Sequence, residues 1–161
     1  MKHFVVGLLF CLALPATAQD FSLDDYLMRW SVLAVGDTEL RIMRNEETSY
    51  INVYRSNGII SAACRLPAED AVLVGEVLAR TQEFYEAQQG SSDNVAETLR
   101  AGDFTVTFRT SVFAGFTVVI QGQDRTATNA VTLSREEAIG IQPELLKARE
   151  YVDFLNSKLG F

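Results

Sequence analysis

The spacing of apolar residues changes along this chain, and each change marks an element. Leu23, Tyr26, Leu27, Trp30 and Leu33 recur at three- and four-residue intervals, with Ser22 and Asp25 placed as at a helix start, so a helix is predicted over 22–35. From Glu39 the period shortens to two. Leu40 and Ile42 flank Arg41, Glu46-Glu47-Thr48 makes a turn, and Ile51 and Val53 alternate with Tyr50, Asn52 and Tyr54. Ser56-Asn57-Gly58 is a hairpin signal, since Asn-Gly tolerates the positive φ of tight turns, and a third strand is predicted over 59–66. Pro67, with Glu69 and Asp70 near the positive end of the helix dipole, then opens a helix of about 20 residues whose apolar face carries Ala71, Val74, Leu78 and Tyr85.

After a polar connector from Gln88 to Asn94, with one or two helical turns expected over 95–100, the texture restarts. Phe104, Val106 and Phe108 alternate with polar residues, as do Phe116, Val118 and Ile120, and a third strand is expected over 128–133. Ser134 and Glu137 form a capping box that opens the last helix, where Gly140 and Pro143 predict a kink or break. Superimposed at an offset of 67, Leu66-Pro67-Ala68-Glu69-Asp70-Ala71 meets Leu133-Ser134-Arg135-Glu136-Glu137-Ala138, and Leu78, Glu83 and Phe84 meet Leu145, Glu150 and Tyr151. Self-similarity of this kind indicates an internal duplication. The predicted class is α+β: an N-terminal helix (22–35) followed by two tandem β-β-β-α units (37–88 and 102–158) joined by a connector (89–101), with antiparallel sheet or sheets packed against the helices. This order is similar to the layouts of type III secretion chaperones and of whirly-type single-strand binders, a likeness of arrangement that no motif carries.

The first residues alter how the rest is read. Lys2 and His3 precede an apolar run from Phe4 to Leu14, followed by Pro15 and the small-residue triplet Ala16-Thr17-Ala18, the three parts of a cleavable signal peptide. The run is too short for the roughly 20 residues of a membrane-crossing helix. Cleavage after Ala18 leaves 19–161, the size of one domain, in the periplasm or outside the cell. It removes the sole histidine and one of two cysteines, which leaves Cys64 without an intramolecular disulfide partner, in an apolar segment that suits a buried thiol. The formal charge of −7 becomes −8 with the loss of Lys2. An acidic chain without a basic stripe argues against nucleic acid and anionic lipid.

The same subtraction limits the chemistry. Without histidine there is no imidazole to serve a Ser-His or Cys-His nucleophile, and no zinc site of the common kind. No phosphate-binding glycine loop or calcium loop is present, and no cofactor is implied. Carboxylate pairs remain: Asp24-Asp25, Glu46-Glu47, Glu69-Asp70 and Glu136-Glu137. Three of the four fall in first turns of predicted helices, where the dipole accounts for them. The candidate binding residues are therefore Val112 and Phe113, apolar between two strands where turn chemistry favours polar residues, and Tyr50, Asn52 and Tyr54 on one strand face. The expectation is a non-catalytic exported module, an adaptor, chaperone-like protein or inhibitor, that binds another periplasmic or envelope protein. A histidine-free, carboxylate-dependent hydrolase and a small-ligand carrier are the alternatives.

Overall fold

A computed structural model of the chain describes residues 27–45, 47–91, 93–123 and 129–159. The signal-peptide expectation and the pair Asp24-Asp25 lie outside these residues. The described chain runs β1 (Met28–Val35), β2 (Thr38–Arg44), β3 (Ser49–Ser56), β4 (Ser61–Leu66), α1 (Ala68–Leu78) and α2 (Thr81–Gln88). The same order then repeats as β5 (Val95–Ala101), β6 (Phe104–Ser111), β7 (Gly115–Gly122), β8 (Ala130–Leu133), α3 (Arg135–Leu145) and α4 (Ala148–Leu159). The class is α+β, with two antiparallel four-stranded sheets ordered β1-β2-β3-β4 and β5-β6-β7-β8. Among the described residues, no helix is long and apolar enough to cross a membrane.

Three differences from the sequence expectation have physical causes. Residues 28–35 form a strand, whereas a helix was expected there. A β-bulge between Ser31 and Leu33 lets Trp30 pair with Ile42 and Leu33 with Leu40, so two residues three apart meet partners only two apart. The bulge therefore produces the three-residue spacing that imitates a helix. Residues 95–100, expected as helical turns, belong to β5, an edge strand whose mostly exposed side chains carry little apolar alternation. Each expected long helix is two helices. The first breaks at Ala79-Arg80, and the second breaks at Leu146-Lys147, three residues past Pro143, while α3 continues through that proline. Neither break contains Gly or Pro. The repeated unit is thus β-β-β-β-α-α, and β-β-β-α is too short by a strand and a helix.

The inner faces of both sheets share one core with the helices. Leu40, Ile51 and Val53 of the first sheet, Val106, Phe108 and Ile120 of the second, and Val74, Leu78, Ile141 and Leu145 of α1 and α3 are all buried. The helices are exchanged between units. α1 packs on β5 and β6 as well as on its own sheet, α2 packs on β6, α3 packs on β1, and α4 packs on β3. Phe84 of α2 stacks on Phe108 of β6 with ring centroids 4.4 Å apart, and the Gln88 amide donates to the Phe108 carbonyl. α1 and α3 cross at Gly75, where a Cβ would lie 3.1 Å from the Leu145 Cβ, so a bare glycine lets the helices approach. β4 and β8 face each other along the midline, where Asn129 accepts the Arg65 backbone N–H through its side chain.

Each unit's first hairpin also docks on the other unit's helix start. The Asp37 N–H, in the β1–β2 turn, donates to Glu137 at 3.0 Å, and the Asp103 N–H, in the β5–β6 turn, donates to Asp70 at 3.3 Å. Gly36 and Gly102 hold these turns at φ +57° and +62°. A Cβ on Gly102 would lie 1.9 Å from Asp70 Oδ1 and would displace that carboxylate, whereas one on Gly58, at φ +84°, would meet nothing within 4 Å. Gly58→Ala is therefore expected to cost about 1–2 kcal/mol from backbone conformation alone. Gly102→Ala is expected to cost about 1 kcal/mol more, because the Asp103 N–H also loses its partner. Equal urea midpoints for the two variants would refute the docking contribution.

Candidate functional site

The strand register decides which residues of β3 face outward. Ile51 pairs with Ile42 and Leu66, and Val53 with Leu40 and Cys64, all in the core, so Tyr50, Asn52 and Tyr54 lie on the opposite face. Antiparallel pairing also lays Arg41, Asn52 and Arg65 in one row across β2, β3 and β4. Tyr50 and Tyr54 flank this row along β3. The Arg41 guanidinium sits 3.8 Å from the Tyr54 ring centroid, and that of Arg65 sits 5.7 Å from the Tyr50 centroid, both cation–π contacts. Arg41 also donates to Glu39 at 2.5 Å, and this bond holds the Glu39 carboxyl below its ordinary range. Hydrogen bonds to Ser61 and Ser56 shift the Tyr54 hydroxyl downward as well.

Asn52 is only 7% exposed although it is on the outer face, and its Oδ1 has no hydrogen-bond partner; the Arg41 Nε is in the same state. Buried polar atoms without partners are uncommon and cost about 1–3 kcal/mol each. Arg41 and Asn52 are paired across β2 and β3, so these two atoms belong to neighbouring residues on the outer face.

Val112 and Phe113 occupy the β6–β7 hairpin tip, where Phe113 is fully exposed and Val112 is 70% exposed. The tip is held by the Val112 N–H on Asn94 and the Ala114 N–H on Ser111, and Phe113 projects from it without folding over a sheet edge. This tip belongs to the second sheet and the tyrosine face to the first, so the two candidate regions are separate. Two features escaped the sequence reading. Arg41 and Arg65 needed the register to be placed beside Asn52. Ile59 and Ile60, expected as the start of a strand, stand exposed in the β3–β4 loop, where the Asn57 side chain accepts both of their backbone N–H groups. Asn57-Gly58 had marked the turn, but its Asx-type bonding extends it by two residues.

No family model and no curated protein matches this chain. Its chemistry must be read from the site itself. The described carboxylate pairs largely serve the fold. Asp70 and Glu137 accept the two hairpin turns, and Glu137 also accepts the Ser134 N–H at 2.7 Å and Arg55 at 3.2 Å. Among the described residues, no three His, Cys, Asp or Glu side chains group as metal ligands. Among the grooves of the described residues, one of about 430 Å³ is lined by Arg65 with Asp70 and Asp103. Another of about 320 Å³ runs between the start of α1 and α4, with Tyr50 on its rim, and a polar one of about 500 Å³ lies along Thr98, Thr105, Thr107 and Gln121.

Proposed function

We propose that the protein is an exported, non-catalytic interaction module and that its contact surface is the outer face of the first sheet around Tyr50, Asn52 and Tyr54. The observation that supports this reading is the Arg41–Asn52–Arg65 row, flanked by two tyrosines and carrying a buried acceptor and donor without partners. Tyrosine and arginine dominate the energetics of protein interfaces because each offers a large contact area together with directional hydrogen bonds. Two of the carboxylates that a hydrolase would use, Asp70 and Glu137, are engaged by backbone N–H groups, which favours binding over carboxylate catalysis. The exposed tip at Phe113 is a second contact, available to the same or another partner. The signal-like N-terminus supports a location in the periplasm or outside the cell.

The reading is tested by native mass spectrometry of the protein recovered from the envelope fraction of its host. The mature mass should correspond to a chain that starts at Gln19, and a bound partner should be retained. Tyr54→Ala is expected to weaken retention at least about tenfold at unchanged thermal stability. Identical partner yields for wild type, Tyr54→Ala and Phe113→Asp would remove both surfaces from the reading.

A further inference from the structure

Resting on the interaction reading above, we infer that the outer face of the first sheet takes an acidic segment of a partner protein, held by Arg29, Arg41 and Arg65. The chain as a whole is strongly acidic, with a formal charge of −7, yet the strand residues of this face carry three arginines against one carboxylate, Glu39, with Asp70 and Asp103 at its margin in the groove that Arg65 also lines. Arg29 and Arg65 are exposed and, among the described residues, neither enters an ion pair. A basic island in an acidic surface attracts an anionic partner at one place and repels it elsewhere, which fixes orientation as well as encounter rate.

The chemistry of the row narrows the ligand. A guanidinium over an aromatic ring can still offer its in-plane N–H donors to a carboxylate; Arg65, beside Tyr50, enters no ion pair among the described residues, while Arg41, over Tyr54, already gives one N–H to Glu39. Arg41, 3.8 Å from the Tyr54 centroid, leaves less of that ring open for a sugar to stack on. The Arg41 Nε lacks an acceptor and Asn52 Oδ1 lacks a donor. A peptide supplies both, a carboxylate or carbonyl oxygen for the first and a backbone N–H for the second, whereas a simple anion supplies only the acceptor. Both atoms are buried, so a peptide that reaches them must first displace the groups above them. The groove with Tyr50 on its rim borders this face and the polar groove lies on the second sheet, and a flat surface of this kind suits a macromolecule better than a small ligand.

The test is an NMR titration of the mature protein with a short synthetic peptide of alternating Glu and Ser. Amide shifts are expected in β2, β3 and β4, with affinity falling as salt rises. Arg29→Glu/Arg65→Glu should bind at least about tenfold more weakly, and Arg29→Gln/Arg65→Gln should repeat the loss should charge reversal disturb folding. Arg109→Glu, on the outer face of the second sheet, should bind as wild type does. Absence of binding, equal affinity in the double variants, or an equal loss in Arg109→Glu would overturn the inference. Polygalacturonate binding as tightly to the same amides would also overturn it, because the ligand would then be an acidic polysaccharide. Should the peptide fail while Tyr54→Ala still releases the native partner, the ligand class is wrong and the interaction reading stands; should both fail, both fall.

Discussion

Cut at the polar segment between Gln88 and Val95, the chain is expected to yield two halves, neither of which folds as a monomer. A tandem duplication usually suggests two units that could stand alone, but here the helices are exchanged. α2 belongs to the first unit yet lays Phe84 on Phe108 of the second sheet, and α3 and α4 pack on β1 and β3 of the first. Without its partner, each half would expose the inner face of a sheet. Fully burying one Val, Leu, Ile or Phe side chain contributes about 1.5–3 kcal/mol. The second sheet alone buries Phe104, Val106, Phe108, Val118 and Ile120, so losing even part of their cover rivals the roughly 5–15 kcal/mol that holds a whole domain folded. Each half of residues 19–161 is also only about 70 residues long, a size at which a single core is marginal even when complete. The hairpin contacts of Asp37 on Glu137 and Asp103 on Asp70 would be lost with the exchanged helices. The two halves should show little secondary structure by circular dichroism when separate. Mixed at equal concentration, they should gain it as a 1:1 complex that melts cooperatively. A cooperative melt from either half as a monomer would show that the exchange contributes little.

Sequence pattern was most informative where one side of a strand or helix faces the core. The two-residue alternation of Leu40 and Ile42, of Ile51 and Val53, and of Phe104, Val106 and Phe108 marks strands whose inner residues are buried, and the capping box at Ser134 and Glu137 forms with both of its hydrogen bonds. The pattern misled where tertiary structure supplied the cause. The bulge in β1 turned strand spacing into helical spacing, and the polar edge strand β5 hid its alternation. The helix breaks at Ala79-Arg80 and Leu146-Lys147 stand at equivalent positions in the two units, where α2 and α4 must swing onto the other unit's sheet, and no local breaker announces them. The candidate site was half legible. Tyr50, Asn52 and Tyr54 could be placed on one face, but whether that face pointed outward depended on burial of Ile51 and Val53, and the arginines beside it depended on register.

Among the described carboxylates, Glu137 is the one whose loss should matter most to stability. It is 3% exposed and sits at the third position of α3, where its carboxylate accepts the Ser134 N–H of its own cap, the Asp37 N–H of the β1–β2 turn and the Arg55 side chain. One carboxylate therefore ties the start of α3 to the first hairpin of the other unit. Glu137→Ala should cost about 2–4 kcal/mol, from the lost cap and the buried N–H groups left without acceptors. Glu137→Gln keeps the shape and one acceptor but loses the charge that Arg55 faces, so its cost should be smaller. Burial by itself would raise the Glu137 pKa, but the Ser134 N–H and the Arg55 charge outweigh it, and the carboxyl is held below its ordinary value of 4.5. A carboxyl whose folded value is depressed contributes fully above the unfolded value and loses that contribution as pH falls through the folded one. Wild-type stability should therefore begin to decline near pH 4.5 and continue to fall below it. Glu39, Glu83 and Glu144 are also held low, by Arg41, by Arg80, and by Tyr151 with Lys147, so some acid sensitivity will survive any single replacement. The informative quantity is the difference between wild type and Glu137→Gln in urea midpoint, measured at neutral pH and again below pH 4. That gap should narrow in acid as the wild-type carboxylate takes up its proton; a gap that stays constant or widens would mean that Glu137 acts through its shape and not through its charge.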